Sequence, residues 1–254
     1  MLMTRLVILA AGKGTRMNSE LPKVLVALHG RPMIRYLMDS VKAAGVDARP
    51  VIVVSPDNRE VISRTLADYP AAYVVQAEQL GTGNAVACAR QLINQESPQA
   101  ESIVVLYGDH PFLRVESIRR LAAMRPATIA MMTTRVPDFS GWYRNFYHWG
   151  RIIRGASGAV EAIREFKDSD EAEKLITEVN PAFMCFNKSW LFENLDRLRA
   201  DNQQREYYLT DLVQFAFSAG YNIDTLPIEP HEAMGVNSLE ELRIAEEVFS
   251  QTSA

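Results

Sequence analysis

Apolar and polar positions along the chain alternate between two periods. Short runs rich in β-branched residues, Arg5 to Leu9, Pro50 to Val54, Ala72 to Gln76 and Ile103 to Leu106, read as strands. Between them lie stretches with helical spacing. Met33 to Ala44 carries Met33, Ile34, Leu37, Met38 and Val41 on one side, Asn58 to Ala67 follows, and a third helix from about Gly83 to Asn94 begins after the Gly81-Thr82-Gly83 turn. Strand and helix in strict alternation predict a βαβ architecture, an α/β protein with a mostly parallel twisted sheet flanked by helices.

Beyond Arg119 the pattern changes. Thr128 to Thr134 reads as a strand, and Gly150 to Arg154 with Ala159 to Glu165 as a hairpin across Gly155-Ala156-Ser157-Gly158. Pro181 to Phe186 is a further strand, Ser189 to Leu198 and Tyr208 to Ala219 are helices, and Asn222 to Leu226 and Glu232 to Gly235 are short strands. A closing helix, Ser238 to Phe249, opens on Ser238 and Glu241 in the spacing of a capping box. With no repeat, low-complexity tract or linker, the expectation is a single domain over 1–254, with a first part about 1–115, a smaller β-rich lobe about 126–237 and the closing helix 238–250.

Composition narrows the class. The 254 residues are 48% hydrophobic and 23% charged, an ordinary globular balance that excludes disorder, collagen and coiled coil. A chain of this mass buries about 73% of its unfolded surface, so neither disulfide nor structural metal is required. Net charge of −4 argues against a broad grip on nucleic acid or an anionic membrane, so any anionic ligand needs a local site. The apolar stretch Leu6 to Ala11 is far too short for a membrane span or a signal segment, and a cytoplasmic protein is expected. Cys88 and Cys185, far apart in apolar surroundings, read as buried free thiols.

Candidate chemistry begins where the first strand ends. Leu9-Ala10-Ala11-Gly12-Lys13-Gly14-Thr15-Arg16-Met17 runs on to Leu21-Pro22-Lys23-Val24-Leu25. Small residues let backbone N–H groups approach a phosphate, while Lys13, Arg16 and Lys23 supply counter-charge and Pro22 stiffens the approach of Lys23. This is the chemistry of a triphosphate cradle. The dinucleotide fingerprint fails because Met17 stands where its third glycine belongs, and the P-loop spacing is absent.

Taken whole, this run together with Gly30-Arg31-Pro32-Met33-Ile34 resembles the nucleotidyltransferases that activate sugar 1-phosphates, and among them the uridyltransferase (pyrophosphorylase) domain of N-acetylglucosamine-1-phosphate uridyltransferases. The likeness extends from Arg5 to Asn237. It implies a Rossmann-like fold whose smaller lobe binds the sugar, and nucleotidyl transfer from UTP to a sugar 1-phosphate with release of pyrophosphate, for nucleotide-sugar and cell-envelope synthesis. Leu9, Ala10, Ala11, Gly12, Lys13 and Gly14 would then hold the nucleotide. Gln76 with Gly81 and Thr82, in Gln76-Ala77-Glu78-Gln79-Leu80-Gly81-Thr82-Gly83, would meet the pyrimidine edge.

Leu106-Tyr107-Gly108-Asp109-His110-Pro111 puts an acid at the carboxyl end of a strand, suited to a hard cation. By the resemblance, Asp109 and Asn237 of Gly235-Val236-Asn237 are the Mg²⁺ ligands, and Arg16, Lys23 and Asp109 carry catalysis. Tyr107, Gly108, Gly150, Glu165 of Ile163-Arg164-Glu165-Phe166-Lys167-Asp168 and Asn180 of Glu178-Val179-Asn180 would bind the sugar. Arg205-Glu206-Tyr207-Tyr208-Leu209-Thr210-Asp211 matches a further family motif at the phosphate and sugar end. His110 reads as a packed or surface histidine, since no metal-ligand spacing joins it to His29, His148 or His231.

Two departures fall on the sugar side. Pro181-Ala182 replace the family's Thr-Gly, and the aromatic stretch Trp142 to Trp149 replaces a short link; it could stack on a sugar, cover the pocket, or pack against the lobe or a second subunit. Another sugar 1-phosphate, dTTP or CTP in place of UTP, and a non-catalytic nucleotide-sugar-binding module are the open alternatives. The matched region ends near Asn237 with one predicted helix to follow, so the expectation is the pyrophosphorylase half alone, without an acetyltransferase β-helix.

Overall fold

The protein is described by a computed structural model covering residues 3–12, 14, 17 and 21–252, the last two by backbone only. Strand β1 (Met3–Leu9) is followed by a short hairpin of β2 (Ala27–Leu28) and β3 (Arg31–Pro32) and helix α1 (Met33–Ala44). Then come β4 (Val51–Val54), α2 (Arg59–Thr65), β5 (Ala72–Val75), α3 (Thr82–Glu96) and β6 (Ala100–Tyr107). The helix α4 (Val115–Met124) leads to β7 (Ile129–Arg135), β8 (Arg151–Arg154), β9 (Val160–Arg164), β10 (Glu178–Val179) and β11 (Met184–Asn187). The chain continues through α5 (Lys188–Asn194), α6 (Asp211–Ser218), β12 (Asp224–Pro227), α7 (Pro230–Ala233) and α8 (Leu239–Thr252).

Among the described residues, ten strands form one mixed sheet in the order β5-β4-β1-β6-β11-β7-β10-β8-β9, with β12 paired to β7. The first four are mutually parallel, β11 runs antiparallel between β6 and β7, and the β8–β9 hairpin joins the sheet end through β10. Successive residues of β1 point to opposite faces: Leu6 and Ile8 enter the core that contains α1 and α4 residues, Val7 and Leu9 the one that contains α3, α5 and α6 residues. A strand buried on both faces reads as a nearly continuous apolar run, as Leu6 to Leu9 do. Helix α1 ends where Gly45 turns left-handed at φ 65°, donating its N–H to the Val41 carbonyl.

The connections set the position of the site. From β1 the chain crosses through α1 to β4 on one side, whereas α3 carries it back to β6 on the other side of β1. The strand order therefore reverses between β1 and β6, and open α/β sheets bind ligands at the carboxyl ends of the strands at such a point.

Several expected elements differ in extent or kind. Glu232 to Gly235 is not a strand. Pro230 starts a helical turn there, and Ala233, Met234 and Val236 are fully buried as a single connecting segment whose Val236 N–H donates to the Asp109 carbonyl at 3.0 Å. Helix α4, which buries Ile118 and Leu121, has no counterpart in the sequence reading. The strand expected from Pro181 starts only at Met184, because Ala182 turns left-handed at φ 68°. Helix α6 begins at Asp211 rather than Tyr208, which leaves Tyr208 and Thr210 free to face a cavity. The capping box at α8 is present in modified form: Ser238 Oγ accepts from the Glu241 N–H at 3.2 Å, while the Glu241 carboxylate accepts from the N–H of Asn237 at 2.5 Å.

Candidate active site

The last residue of β1, Leu9, pairs across the switch point with Tyr107, the last of β6, and the Gly108 N–H closes onto the Leu9 carbonyl at 3.0 Å. A side chain at Gly108 would press on Val24 and Ile34, at 3.0 and 3.3 Å. Ala10 is held from both sides, its N–H donating to the Val53 carbonyl at 2.8 Å and its own carbonyl accepting from Asn58 Nδ2 at 3.0 Å. Gly14 is left-handed at φ 64°, and a Cβ on it would lie 2.5 Å from Lys23 Cβ. Only glycine lets the loop pass this close to Lys23. Lys13 and Arg16, expected at the phosphates, lie outside the described residues.

Lys23, Asp109 and Asn237 converge although they come from three distant parts of the chain. Lys23 Nζ donates to Asp109 Oδ2 at 2.5 Å and to Asn237 Oδ1 at 2.8 Å. Asp109 is 6% exposed. Burial alone would raise its pKa, but the adjacent Lys23 ammonium outweighs that and holds the carboxyl below its ordinary range. The Val236 bond to the Asp109 carbonyl brings the last motif to this point, and Glu241 fixes the Asn237 backbone.

Two cavities adjoin this cluster. The smaller, about 240 Å³, is walled by Leu9 to Gly12 on one side and by Gln76, Gly81 and Thr82 on the other. Gln76 is almost fully buried, and both hydrogens of its amide are engaged, by the Gly81 carbonyl at 3.1 Å and Asn84 Oδ1 at 2.8 Å. Its carbonyl oxygen is therefore the group it presents to a ligand. Gly81 has φ 107°, and a Cβ there would lie 2.8 Å from the backbone N and O of Tyr207. The turn leads into α3, so the helix N-terminus opens on the cavity.

The larger cavity, about 390 Å³, shares Lys23, Thr82, Tyr107, Asp109 and Glu206 with the first. Gly150, Glu165 and Asn180 line its far side. A Cβ on Gly150 would lie 3.0 Å from Ile163 Cγ2, so the glycine lets the chain pass close to β9 at the cavity wall. Glu165 accepts from Thr210 Oγ1 at 2.9 Å, and loss of hydration raises its pKa against that bond, with Asp211 and Asp168 adding to the rise. Asn180 donates its backbone N–H to the Gly150 carbonyl, and its Oδ1 accepts from the Ala182 N–H at 2.9 Å. The candidates from residues 9 to 12 and Gln76, Gly81, Thr82, Tyr107, Asp109, Gly150, Glu165, Asn180 and Asn237 thus share the walls of two adjoining cavities, while Gly108 packs behind them. Glu206, Tyr208, Thr210 and Glu241 also line these walls. The first three were visible only as members of a longer motif, and Glu241 only as a helix cap.

A family model for the MobA-like NTP transferase domain matches residues 6–213, most of the chain and most of these walls. The chain belongs to that family. It is a nucleotidyltransferase by that membership. It is 39% identical over 250 residues to the bifunctional protein GlmU of Alcanivorax borkumensis, covering 98% of this chain and 52% of the relative. The GlmU of Halorhodospira halophila is 41% identical over 246 residues, covering 96% and 49%, and that of Desulfotalea psychrophila 37% over 246, covering 95% and 69%. The chain thus spans about half the length of most curated relatives it matches. Among its described residues, no helix is long and apolar enough to cross a membrane.

The aromatic segment of this NTP transferase is organised around Arg151, which is fully buried and has no carboxylate partner among the described residues. Its guanidinium donates to the carbonyls of Trp149 at 2.5 Å, Tyr147 at 2.8 Å and Lys174 at 3.1 Å, and lies 4.7 Å from the Phe139 ring centroid and 5.4 Å from that of Phe166. Phe146 is fully buried, Trp142 packs on the same core, and His148 and Trp149 reach the larger cavity. Packing and pocket wall are both realised. His110 is a packed histidine: its Nδ1 donates to the Ala233 carbonyl at 2.9 Å, its ring meets Phe183 edge-on at 4.8 Å, and burial lowers its pKa. A Cβ at Gly235 would lie 2.7 Å from His110 Nε2, which explains the glycine before Val236.

Proposed function

We propose that this chain transfers a uridylyl group from UTP to N-acetylglucosamine 1-phosphate, forming the UDP-sugar and pyrophosphate. One observation carries the reading: a cavity with a small-residue loop and a buried glutamine adjoins a cavity with hydroxyl-binding side chains, and the two share the Lys23–Asp109 pair. The curated relatives named GlmU support the sugar phosphate as acceptor. Gln76 supports a uracil base, since a carbonyl acceptor complements the ring N–H of uracil or thymine and not the unprotonated ring nitrogen of cytosine.

In this reaction a phosphate oxygen of the acceptor bonds to the α-phosphorus as the bond to the bridging oxygen of the leaving pyrophosphate breaks. The attacking oxygen is already ionised at neutral pH, so no general base is required. Catalysis reduces to in-line positioning and neutralisation of growing charge. Lys23, at the junction of the cavities, is assigned to the α-phosphate, and Lys13 and Arg16 to the pyrophosphate on sequence grounds. Ala11 and Gly12 offer backbone N–H groups to the phosphates, beyond Ala10 whose own N–H is held by Val53, and Glu165 and Asn180 face the sugar hydroxyls.

The donor set fits Mg²⁺. Asp109 and Asn237 aim two hard oxygens at one cationic point, filled by the Lys23 ammonium, and Mg²⁺ characteristically takes few protein ligands and completes its shell with water and phosphate. When bound there it would neutralise phosphate charge.

The test is pyrophosphate release over a matrix of nucleoside triphosphates and sugar 1-phosphates, with and without Mg²⁺. Turnover with UTP and N-acetylglucosamine 1-phosphate is expected. Turnover confined to another pair would replace the substrates, and no release with any pair would favour a binding module.

A further inference from the structure

His110 stands beside Asp109 on the wall of the larger cavity, where its ring has no part in the transfer step itself. The side chain is 8% exposed and is held on several sides. Phe183 meets the ring edge-on at 4.8 Å, Trp149 lies 5.6 Å away, and Gly235 comes so near that a Cβ there would lie 2.7 Å from Nε2 and 2.8 Å from Cε1. Nδ1 donates to the Ala233 carbonyl at 2.9 Å. That bond fixes the tautomer and leaves the lone pair on Nε2.

Nε2 is an acceptor without a partner. Among the described residues, Arg90 Nε, Thr128 Oγ1 and Asn145 Nδ2 are unpartnered side-chain atoms sealed from solvent. His110 Nε2 makes no hydrogen bond with the described residues either, yet it is not sealed, and the larger cavity is where it opens. It lies 4.0 Å from Asp109 Oδ1, while Oδ2 of the same carboxylate is taken by Lys23. Oδ1 and Nε2 are thus two Lewis bases, one anionic and one neutral, on the same wall.

Their spacing suits one cation. Two atoms that each bind an ion at about 2.0–2.2 Å stand at most about 4.4 Å apart, so 4.0 Å lets a single ion touch both. A sugar hydroxyl has one proton to donate and serves only one of the two bases. A metal-binding histidine characteristically donates its other ring N–H to a carboxylate or backbone carbonyl, which is the bond that Ala233 receives here. We propose that His110 Nε2 is a direct third protein ligand, beside Asp109 and Asn237, of the divalent cation at this site, and that it shifts the site's preference from Mg²⁺ toward divalent transition metals. This rests on the reading of Asp109 as a cation ligand. Its physical basis is ligand softness: carboxylate and amide oxygens suit Mg²⁺, whereas an imidazole nitrogen adds affinity that rises from Mn²⁺ to Co²⁺.

The experiment uses the full chain with UTP and no acceptor sugar, so that metal binding is read without turnover. Pulsed EPR of bound Mn²⁺ is expected to show a directly coordinated imidazole nitrogen in wild type and none in His110→Val or His110→Gln. By calorimetry, His110→Val is expected to weaken Co²⁺ binding by about tenfold or more and Mg²⁺ binding by less than about threefold. His110→Gln places a hard carboxamide oxygen near the position of Nε2, so Mg²⁺ affinity should stay within about twofold of wild type while the nitrogen signal is lost. The wild-type spectrum decides even where a variant fails to fold. Bound Mn²⁺ without nitrogen coupling overturns the proposal, including the case in which a water bridges the ion to Nε2. The same preference for Co²⁺ over Mg²⁺ in wild type and His110→Val also overturns it. Either result leaves Asp109 as a ligand. Metal affinity no higher than that of UTP alone, and unchanged by Asp109→Asn, would overturn the cation site itself.

Discussion

Asp109 shows how one side chain is tuned by what reaches it. Its burial would favour a neutral acid, and the Lys23 ammonium at 2.5 Å reverses that preference, so the carboxylate stays charged and able to meet a cation. Asp109→Ala is expected to lower kcat by about 100-fold or more at saturating Mg²⁺, measured as initial pyrophosphate release; near-normal turnover would remove Asp109 from the machinery. Ala182 is a residue-scale feature of another kind. It holds φ 68° in a pocket wall, the left-handed region that costs a Cβ-bearing residue about 1–2 kcal/mol relative to glycine, and Asn180 Oδ1 secures it through its N–H. Ala182→Gly should raise the free energy of unfolding by up to about 1 kcal/mol, read from the urea midpoint at unchanged slope, and admit bulkier sugar 1-phosphates. Neither strain nor counter-charge is written in the residue's own identity. Pro181-Ala182 could be seen in the sequence as a departure, but its left-handed turn could not.

At the scale of elements, close approach decides which residues are permitted. The Gly81-Thr82-Gly83 turn sits against the Tyr207 backbone, with Tyr207 donating to the Leu80 carbonyl and accepting from the Gly83 N–H, both at 2.8 Å. Two motifs about 125 positions apart are thus one structural unit. The aromatic segment is held by Arg151 in the same way, by backbone carbonyls rather than by side-chain charge. Arg151→Leu leaves the carbonyls of Trp149, Tyr147 and Lys174 without this donor and is expected to destabilise the protein by about 3 kcal/mol or more in chemical denaturation. The KM for the sugar 1-phosphate should rise with it, because Trp149 and Gly150 line the acceptor cavity. The element periods were legible: Met33–Ala44 matches α1 residue for residue. The segment Glu232 to Gly235 was misread because a short apolar run has no diagnostic period, and Pro230 starts a turn while the buried residues only connect elements.

For the whole molecule, acidic groups crowded beside the larger cavity make stability depend on pH. Asp211 has its pKa raised to about 6 by burial and by nearby Asp168, against a lowering from Arg164. An acid with a raised native pKa holds its proton longer when folded than when unfolded. Its contribution is therefore full below the unfolded value and lost as pH rises through about 6. Between about pH 4 and pH 7 the melting temperature of wild type should fall more than that of Asp211→Asn, whose profile should be flatter and lie higher near neutrality. Parallel profiles would show that Asp211 titrates normally.

The sequence by itself determined the alternation of strands and helices, apart from α4 and the segment Glu232 to Gly235, and the chemical content of each motif. Periodicity and side-chain type are local properties, and a strand buried on both faces announces itself as an apolar run. The reversal of strand order between β1 and β6 came from the tertiary structure, as did the meeting of Lys23 with Asp109 and Asn237, separated by 86 and 214 positions. It also turned the aromatic insert into a wall of the larger cavity. These features depend on which backbones come within hydrogen-bond distance across the folded chain, such as Val236 on Asp109 and Tyr207 on Leu80 and Gly83, and no local pattern encodes that distance.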